Sequence, residues 1–329
     1  MMLNGKTILI TGGTGSFGQK FTEVILKQYR PKAVRIFSRD ELKQWEMEKK
    51  FKGCKRLRFF IGDIRDKERV ERAMDGADIV VHAAALKQVP SCEYNPLEAI
   101  KTNILGAQNI INAAIDHNIE KVIALSTDKA VNPVNLYGST KMCMEKLFVA
   151  ANSYVGEKRQ TRMSCVRYGN VVGSRGSVIP LFKKQKASGT ITITDKRMTR
   201  FWITLKQGVR FVIKSVERMQ GGEVFIPKMP SMSILELAKE IAPDCKINFI
   251  GIRPGEKVHE CLLTEDEARH SLEFNDFFIV EPDFPWWREK KKLSGKPLSE
   301  GFRYTSDKNK SRIKPETLLE ILTHENDPI

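Results

Sequence analysis

Apolar residues run almost without interruption at six places in the first half of the chain. These are Thr7–Thr11 (TILIT), Ala33–Ser38 (AVRIFS), Leu57–Gly62 (LRFFIG), Asp78–Ala83 (DIVVHA), Lys121–Ser126 (KVIALS) and Arg162–Tyr168 (RMSCVRY). Continuous runs, as opposed to strict alternation, suit parallel strands covered on both faces. Between the first two, Phe17, Phe21, Val24 and Ile25 recur with the 3.6-residue period of a helix face. At roughly 20–40 residues per β–α repeat, the pattern predicts an α/β fold with a Rossmann-type, doubly wound parallel sheet.

After about Gly173 the alternation stops. Ser177–Lys186, Lys206–Met219 and Ser233–Ala242 read as helices, separated by short β-like pieces such as Thr190–Thr194 and Glu223–Pro227. Ser233 and Glu236 have the spacing of a capping box. Beyond Phe274 come a strand in FFIVEP, the Trp286-Trp287 pair, the Lys290–Lys292 run and a helix over Pro315–Thr323. The expected division is a dinucleotide-binding domain with the catalytic residues over 1–173, and a smaller substrate lobe with a C-terminal extension over 174–329.

At 329 residues, with 41% hydrophobic and 29% charged positions, the chain can bury a full core. It has no apolar run of about 18 residues and no signal-peptide core at its N-terminus, so a cytoplasmic protein without a membrane partner is expected. The net charge of +15 fits either nucleic acid or small anions. Basic residues are scattered (Lys49-Lys50, Lys183-Lys184), with no aromatic-interleaved strip, which favours nucleotide phosphates over nucleic acid. Six cysteines without a C-x-x-C pair or a His/Cys cluster predict reduced thiols and no metal.

A glycine-rich turn, Gly12-Gly13-Thr14-Gly15-Ser16-Phe17-Gly18, follows the first strand and opens a helix. Such a turn brings backbone up to a pyrophosphate and points a helix N-terminus at it. The second strand ends in Ser38-Arg39 with Lys43 a turn later, where an NAD enzyme would place a carboxylate. Those residues would bind a 2′-phosphate, so NADP is the expected cofactor. Asp40 and Glu41 follow and are assigned to the start of the next helix. Asp63, with Ile64 beside it, is placed to accept from the adenine amino group; a helix N-cap is the alternative. Ala83-Ala84-Ala85 would let backbone lie along the cofactor, and Lys87 would reach ribose or substrate.

Tyr137 and Lys141 stand i and i+4 on the helix expected after the fifth strand. A nearby ammonium and a positive nicotinamide ring would lower the phenol from about 10 toward base duty. Asp128-Lys129 lie just beyond the fifth strand, where ligands of open α/β sheets bind; a solvated turn is the alternative.

Tyr137-x-x-x-Lys141 resembles the short-chain dehydrogenase/reductase pattern, and Gly12-x-x-Gly15-x-x-Gly18 resembles its extended branch. Thr11–Gly18, Ser38–Lys43, Gly62-Asp63, His82–Lys87, Ser126–Ala130, Asn135–Lys141, Val166–Val178, Thr199–Ile203 and Arg253–Lys257 together resemble the inverting UDP-N-acetylglucosamine 4,6-dehydratases of pseudaminic acid biosynthesis and flagellin glycosylation. The resemblance runs from Gly5 to about Val280. It implies a lyase acting on UDP-N-acetylglucosamine with NADP as catalyst. Tyr137 would deprotonate the C4 hydroxyl during oxidation. Lys129, neutral through desolvation beside other cations, would take the C5 proton, with Asp128 as acid at C6. Reprotonation of C5 would occur on the opposite face.

The resemblance further implies that Lys87, Thr127, Asn170, Val178, Thr194, Met198, Arg200, Arg253 and Glu256 contact the UDP-sugar. Arg200 and Arg253 would clamp the pyrophosphate. It implies a homo-oligomer, extended relatives often pairing through helices like Pro96–His117 and Tyr137–Ser153. Gln88 departs from the family, which commonly has His there. Retaining dehydratases usually read Asp-Glu in place of Asp128-Lys129, and a 4-epimerase needs no such pair. A capsule-type 4,6-dehydratase/5-epimerase stays open as an alternative. A non-catalytic NADP sensor would usually have lost Tyr137 or Lys141.

Overall fold

The computed structural model describes residues 2–156, 159–173, 178–284 and 293–325. Trp286-Trp287 and the Lys290–Lys292 run fall outside them. Strands β1 (Thr7–Thr11), β2 (Ala33–Ser38), β3 (Leu57–Ile61), β4 (Ile79–His82), β5 (Lys121–Leu125) and β6 (Arg162–Val166) fall on the six apolar runs. They lie in the order β6-β5-β4-β1-β2-β3, all parallel. Every residue of β1 and β4 is buried, which is why their sequences show no polar alternation. The chain winds outward one way through β2 and β3, then returns beside β1 with β4 and winds the other way. The carboxyl ends of β1 and β4 therefore form the switch point at which ligands of such sheets bind.

Helices α1 (Ser16–Gln28), α2 (Glu41–Lys50) and α3 (Lys67–Met74) follow β1, β2 and β3. After β4 come α4 (Val89–Tyr94), α5 (Pro96–Ile100) and α6 (Gly106–Asp116); α7 (Leu136–Ala151) follows β5. Between α5 and α6 the chain stays helical through a π turn at Lys101–Leu105. One extra residue in that turn aims the buried Asn103 amide inward, where it accepts from Leu86 N (2.8 Å) and donates to Leu86 O (2.8 Å) and Thr140 Oγ1 (3.0 Å).

The second half supplies β7 (Asn170–Val171), α8 (Val178–Lys186), β8 (Thr190–Ile193), β9 (Thr199–Ile203), α9 (Leu205–Arg218), β10 (Val224–Pro227) and α10 (Ile234–Ile241). The Ser233/Glu236 capping box opens α10 as its spacing predicted. A boundary at 173 is not a spatial boundary, however. β10 pairs in parallel with β6, and Phe277–Val280, Ser271–Glu273 and Lys296–Pro297 add antiparallel strands to make a sheet of ten. The reason is burial: Val224–Pro227 is apolar and covered on both faces, like β1 and β4, whereas the edge strand β3 leaves Arg58 and Ile61 exposed. Val209, Val212, Ile213 and Val216 of α9 likewise join the main core. The smaller lobe has its own core of Ile179, Phe182, Ile191, Ile193, Trp202, Leu237 and Ile241.

A buried ionic network joins β6 and α7 to the later chain. Arg167, just past β6, donates to Glu145 of α7 (2.6 and 3.0 Å), to Glu267 (2.9 and 3.1 Å) and to Leu262 O (2.9 Å). Among the described residues no helix is long and apolar enough to cross a membrane, and no His/Cys/Asp/Glu group is arranged to hold a metal.

Candidate active site

Gly12 leaves β1 at φ +66°, and a Cβ there would lie 2.9 Å from Ala84 N. The absent side chain lets the turn close against Ala83-Ala84 at the end of β4. Thr11 Oγ1 reinforces the seam, accepting from Ala83 N and Ala84 N (3.2 Å each) and lying 2.8 Å from His82 Nδ1. Gly15 caps α1 without any side-chain hydrogen bond, so no capping side chain occupies the helix N-terminus formed by Ser16 and Phe17. Thr14 is buried, and Phe17 stacks on Phe21 at 5.9 Å. A cradle that a Cβ would fill, facing an uncapped helix end, fits a dinucleotide pyrophosphate.

At the end of β2, Ser38 is buried and its Oγ accepts from Gln44 Nε2 (3.0 Å). Arg39 is exposed, 3.7 Å from Asp63 Oδ2. Asp40 caps α2 through Lys43 N (2.9 Å) and pairs with the Lys43 ammonium, so this acid serves the helix start. The N-cap alternative for Asp63 falls instead to Asp66, which accepts from Arg69 N at 3.0 Å. Asp63 is gripped by Arg65; burial opposes its ionisation, but those hydrogen bonds hold its carboxyl below the usual range. Ile64 is buried in the core.

Beyond β5, Thr127 caps a single 3-10 turn, Asp128–Ala130, and donates to Asp128 Oδ1 (2.9 Å). Asp128 N donates to Tyr168 O (3.1 Å), fixing the turn against the chain leaving β6. Gly138 brings α7 up to the same turn: a Cβ there would stand 2.2 Å from Lys129 O. Asn135 caps α7, accepting from Gly138 N (2.7 Å) and donating to Gly255 O (2.7 Å). Asp128, Lys129 and Tyr137 are thus assembled by two short pieces of backbone in close contact.

Their electrostatics depart from the sequence expectation in two respects. The Tyr137 phenol is pushed up to about 12, not lowered: burial dominates, and Lys129 with a hydrogen bond to Thr127 offsets only part of it. Lys141 Nζ lies 2.9 Å from Met144 Sδ, where burial lowers it to about 8 against Cys165 and Glu145. Lys129 is likewise not neutral. Burial works against its charge, but Asp128 Oδ1 at 3.0 Å and Glu260 Oε1 at 3.4 Å hold it well above the ordinary lysine range. Asp128, almost wholly buried, is pushed up by desolvation against the pull of Lys129. Lys87, open to solvent, is lowered by the surrounding protein and then by Lys129.

Arg200 differs from the expected clamp. It is buried, donates to Thr199 O (2.7 Å), Val258 O (3.0 Å) and Lys257 O (3.0 Å), and sets its Nε 3.6 Å from Glu260 Oε1. These bonds make it a brace for residues 257–260. Arg253 remains half exposed, 3.8 Å from Glu256 Oε1, on a loop tied to α7 through Gly255. Asn170 begins β7 opposite Trp202. Val178, Met198 and Thr194, whose Oγ1 meets Met198 Sδ at 3.3 Å, belong to the smaller lobe. Among the described residues, the buried acceptors Asp128 Oδ2, Asn170 Oδ1, Glu256 Oε2 and Glu260 Oε2 have no hydrogen-bond partner, as expected of groups that meet a ligand.

Glu260, Lys257 and Asn103 escaped the sequence reading. Arg253, Glu256, Lys257 and Glu260 are spaced like ion pairs on a solvated helix face, a pattern that hides a buried carboxylate. Asn103 gave no signal because its role depends on the π turn.

The polysaccharide biosynthesis protein family matches residues 8–282. A UDP-N-acetylglucosamine 4,6-dehydratase (inverting) of Campylobacter jejuni subsp. jejuni serotype O:23/36 is 53% identical, over 98% of this chain and 99% of its own. A UDP-glucose 4-epimerase of Rickettsia canadensis is 44% identical over 86% and 84%. The X-ray structure of Pen from Bacillus thuringiensis superposes with a TM-score of 0.90 at 40% identity, covering 99% of both chains.

Proposed function

This chain belongs to the polysaccharide biosynthesis protein family, with dehydratase homologues along its whole length, and from that premise we propose that it catalyses the inverting 4,6-dehydration of UDP-N-acetylglucosamine. The observation that carries the reading is the Asp128–Lys129 pair, buried beside Tyr137 at the end of β5. The product is UDP-2-acetamido-2,6-dideoxy-β-L-arabino-hex-4-ulose, the first intermediate of pseudaminic acid biosynthesis. The protein acts as a homo-oligomer in the cytoplasm.

Gly12, Gly15 and the α1 N-terminus would hold NADP, with Arg39 and Ser38 toward its 2′-phosphate. When bound, its nicotinamide takes the C4 hydride and returns it to C6. Tyr137 accepts the C4 hydroxyl proton as its phenolate, a form favoured by the Lys129 charge, the Thr127 hydrogen bond and the positive ring of a bound nicotinamide against the burial that raises the phenol. The 4-ketone acidifies C5–H. Asp128 and Lys129 share one proton across 3.0 Å, and moving it onto Asp128 yields what elimination needs: a neutral amine to take the C5 proton and a carboxylic acid to protonate the departing C6 hydroxyl. Arg253 binds the pyrophosphate and Glu256 the ribose. C5 then takes a solvent-derived proton on the opposite face, and the proton that Tyr137 took from C4 is released in exchange, which leaves the Asp128–Lys129 pair with its single proton.

Incubation with UDP-N-acetylglucosamine in D2O, followed by proton NMR, tests the reading. The expected product is a 6-deoxy-4-keto sugar with solvent deuterium at C5 and inverted C5 configuration. Retained C5 configuration would point to a retaining dehydratase. A C4-inverted sugar with intact C6 hydroxyl and no deuterium would assign the chain to the epimerases and overturn the proposal.

A further inference from the structure

The later chain delivers a buried carboxylate, Glu260, to the Asp128–Lys129 pair. Its backbone is pinned on both sides by Ser306: Glu260 N donates to Ser306 Oγ (2.9 Å), and Ser306 N donates to Glu260 O (2.9 Å). The side chain is 3% exposed. Its Oε1 lies 3.4 Å from Lys129 Nζ and 3.6 Å from Arg200 Nε, and Oε2 lies 3.8 Å from Lys257 Nζ. Lys257 is itself held by Val131 O at 2.5 Å. A carboxylate so enclosed has no rotamer freedom to spend, and its charge acts at full strength on what it faces.

We propose that Glu260 is a positioning residue for the reaction: its carboxylate holds the Lys129 side chain charged and aimed beside Asp128, and so sets the pH range over which the pair works. The inference rests on, and deepens, the dehydratase reading of this site.

Lys129 is faced by Asp128 and Glu260 as anions, by Arg200, Lys257 and Lys87 as cations, and by the Tyr137 phenol. Two carboxylates within 3.4 Å outweigh the desolvation of a half-buried ammonium and the more distant cations. Without the Glu260 charge, one carboxylate would stand against three cations, and the balance moves toward the neutral amine. Because Arg200 and Lys257 also need Glu260, its removal alters the charge of the whole seam. A purely structural role would leave the titration of Lys129 where it was.

The test follows the Lys129 Cε resonance in 13C-lysine-labelled protein, assigned by its loss in Lys129→Arg. Wild-type Lys129 should remain charged beyond about pH 10.4, the ordinary lysine midpoint, whereas Glu260→Gln should lower its midpoint by about one unit or more, tenfold in proton affinity. Glu260→Asp, which keeps the charge but withdraws it by one methylene, should fall between the two and guards against a misfolded Gln variant. Midpoints of both variants that coincide with wild type overturn the proposal. In parallel, the pH limb of kcat with UDP-N-acetylglucosamine should shift the same way in Glu260→Gln, with KM little changed. Failure of wild type to turn over this sugar, with the resonance still shifting, sinks the dehydratase reading and leaves the hold of Glu260 on Lys129 standing. Normal turnover with superimposable pH profiles sinks the Glu260 proposal alone.

Discussion

Truncating Lys129 to Ala removes the ammonium hydrogen-bonded to Asp128 and leaves Asp128 and Glu260 facing each other. Turnover should fall by about 10²–10⁴-fold, the usual contribution of a general base. Hydride transfer from C4 does not need the amine, so single-turnover absorbance at the NADPH band should rise without product. Near-normal formation of the C5-inverted ketone would show that another group takes the C5 proton. Arg39→Asp should exchange NADP for NAD in the purified protein, because the carboxylate repels a 2′-phosphate and accepts from a free 2′-hydroxyl. Mass analysis of extracted nucleotide decides it; NAD already bound to the wild type would defeat the assignment. At this scale position was legible and environment was not. Lys129 announced itself by standing past a strand end, but its charge depends on Glu260, Arg200 and Lys257, all supplied by distant chain.

Gly138 shows how much of the site depends on one element seated against another. Helix α7 meets the Asp128–Ala130 turn so closely that a methyl group would lie 2.2 Å from Lys129 O. Gly138→Ala must therefore push the Asp128–Ala130 turn off the helix carrying Tyr137 and Lys141. Overpacking of this kind costs about 1–3 kcal/mol, and a site displaced by even a fraction of an ångström loses turnover out of proportion. Urea unfolding and kcat, measured together, should both drop; an unaltered kcat would mean that the spacing of turn and helix is not critical. The elements themselves were readable wherever local physics decided them. Continuous burial wrote β1, β4 and β10 as apolar runs, and the Ser233/Glu236 pair wrote the start of α10. Which sheet β10 would join was not readable, because a buried strand looks the same wherever its partners come from. The π turn at Lys101–Leu105 was invisible for a similar reason: its helical period is broken only at a single residue, in favour of an Asn103 contact with backbone far along the chain.

The two halves of the chain are coupled through Arg167, and here the sequence division at 173 misled most. The guanidinium lies between Glu145 and Glu267 and also holds Leu262 O, in the strand Cys261–Leu263 that follows Glu260. Burial alone would disfavour the guanidinium's charge; the two carboxylates more than restore it. Arg167→Met leaves those carboxylates enclosed without a counter-charge, a loss of about 3–5 kcal/mol when one partner of a buried pair is removed. Glu267 supplies the pH signature. Desolvation opposes its ionisation, but Arg167 holds its carboxyl below the usual glutamate range. A depressed folded-state value means that this contribution to stability is fully present above the unfolded value of about 4.3 and is lost as pH falls through the lower folded one. The stability gap between wild type and Arg167→Met in urea should accordingly be wide at neutral pH and narrow below about pH 4. The same substitution loosens the segment that presents Glu260 to Lys129, so activity should decline at denaturant concentrations where the fold is still intact. A gap that stays constant down to about pH 3, or a variant as stable as wild type at neutral pH, would remove Arg167 as the tie between the sheet and the catalytic seam.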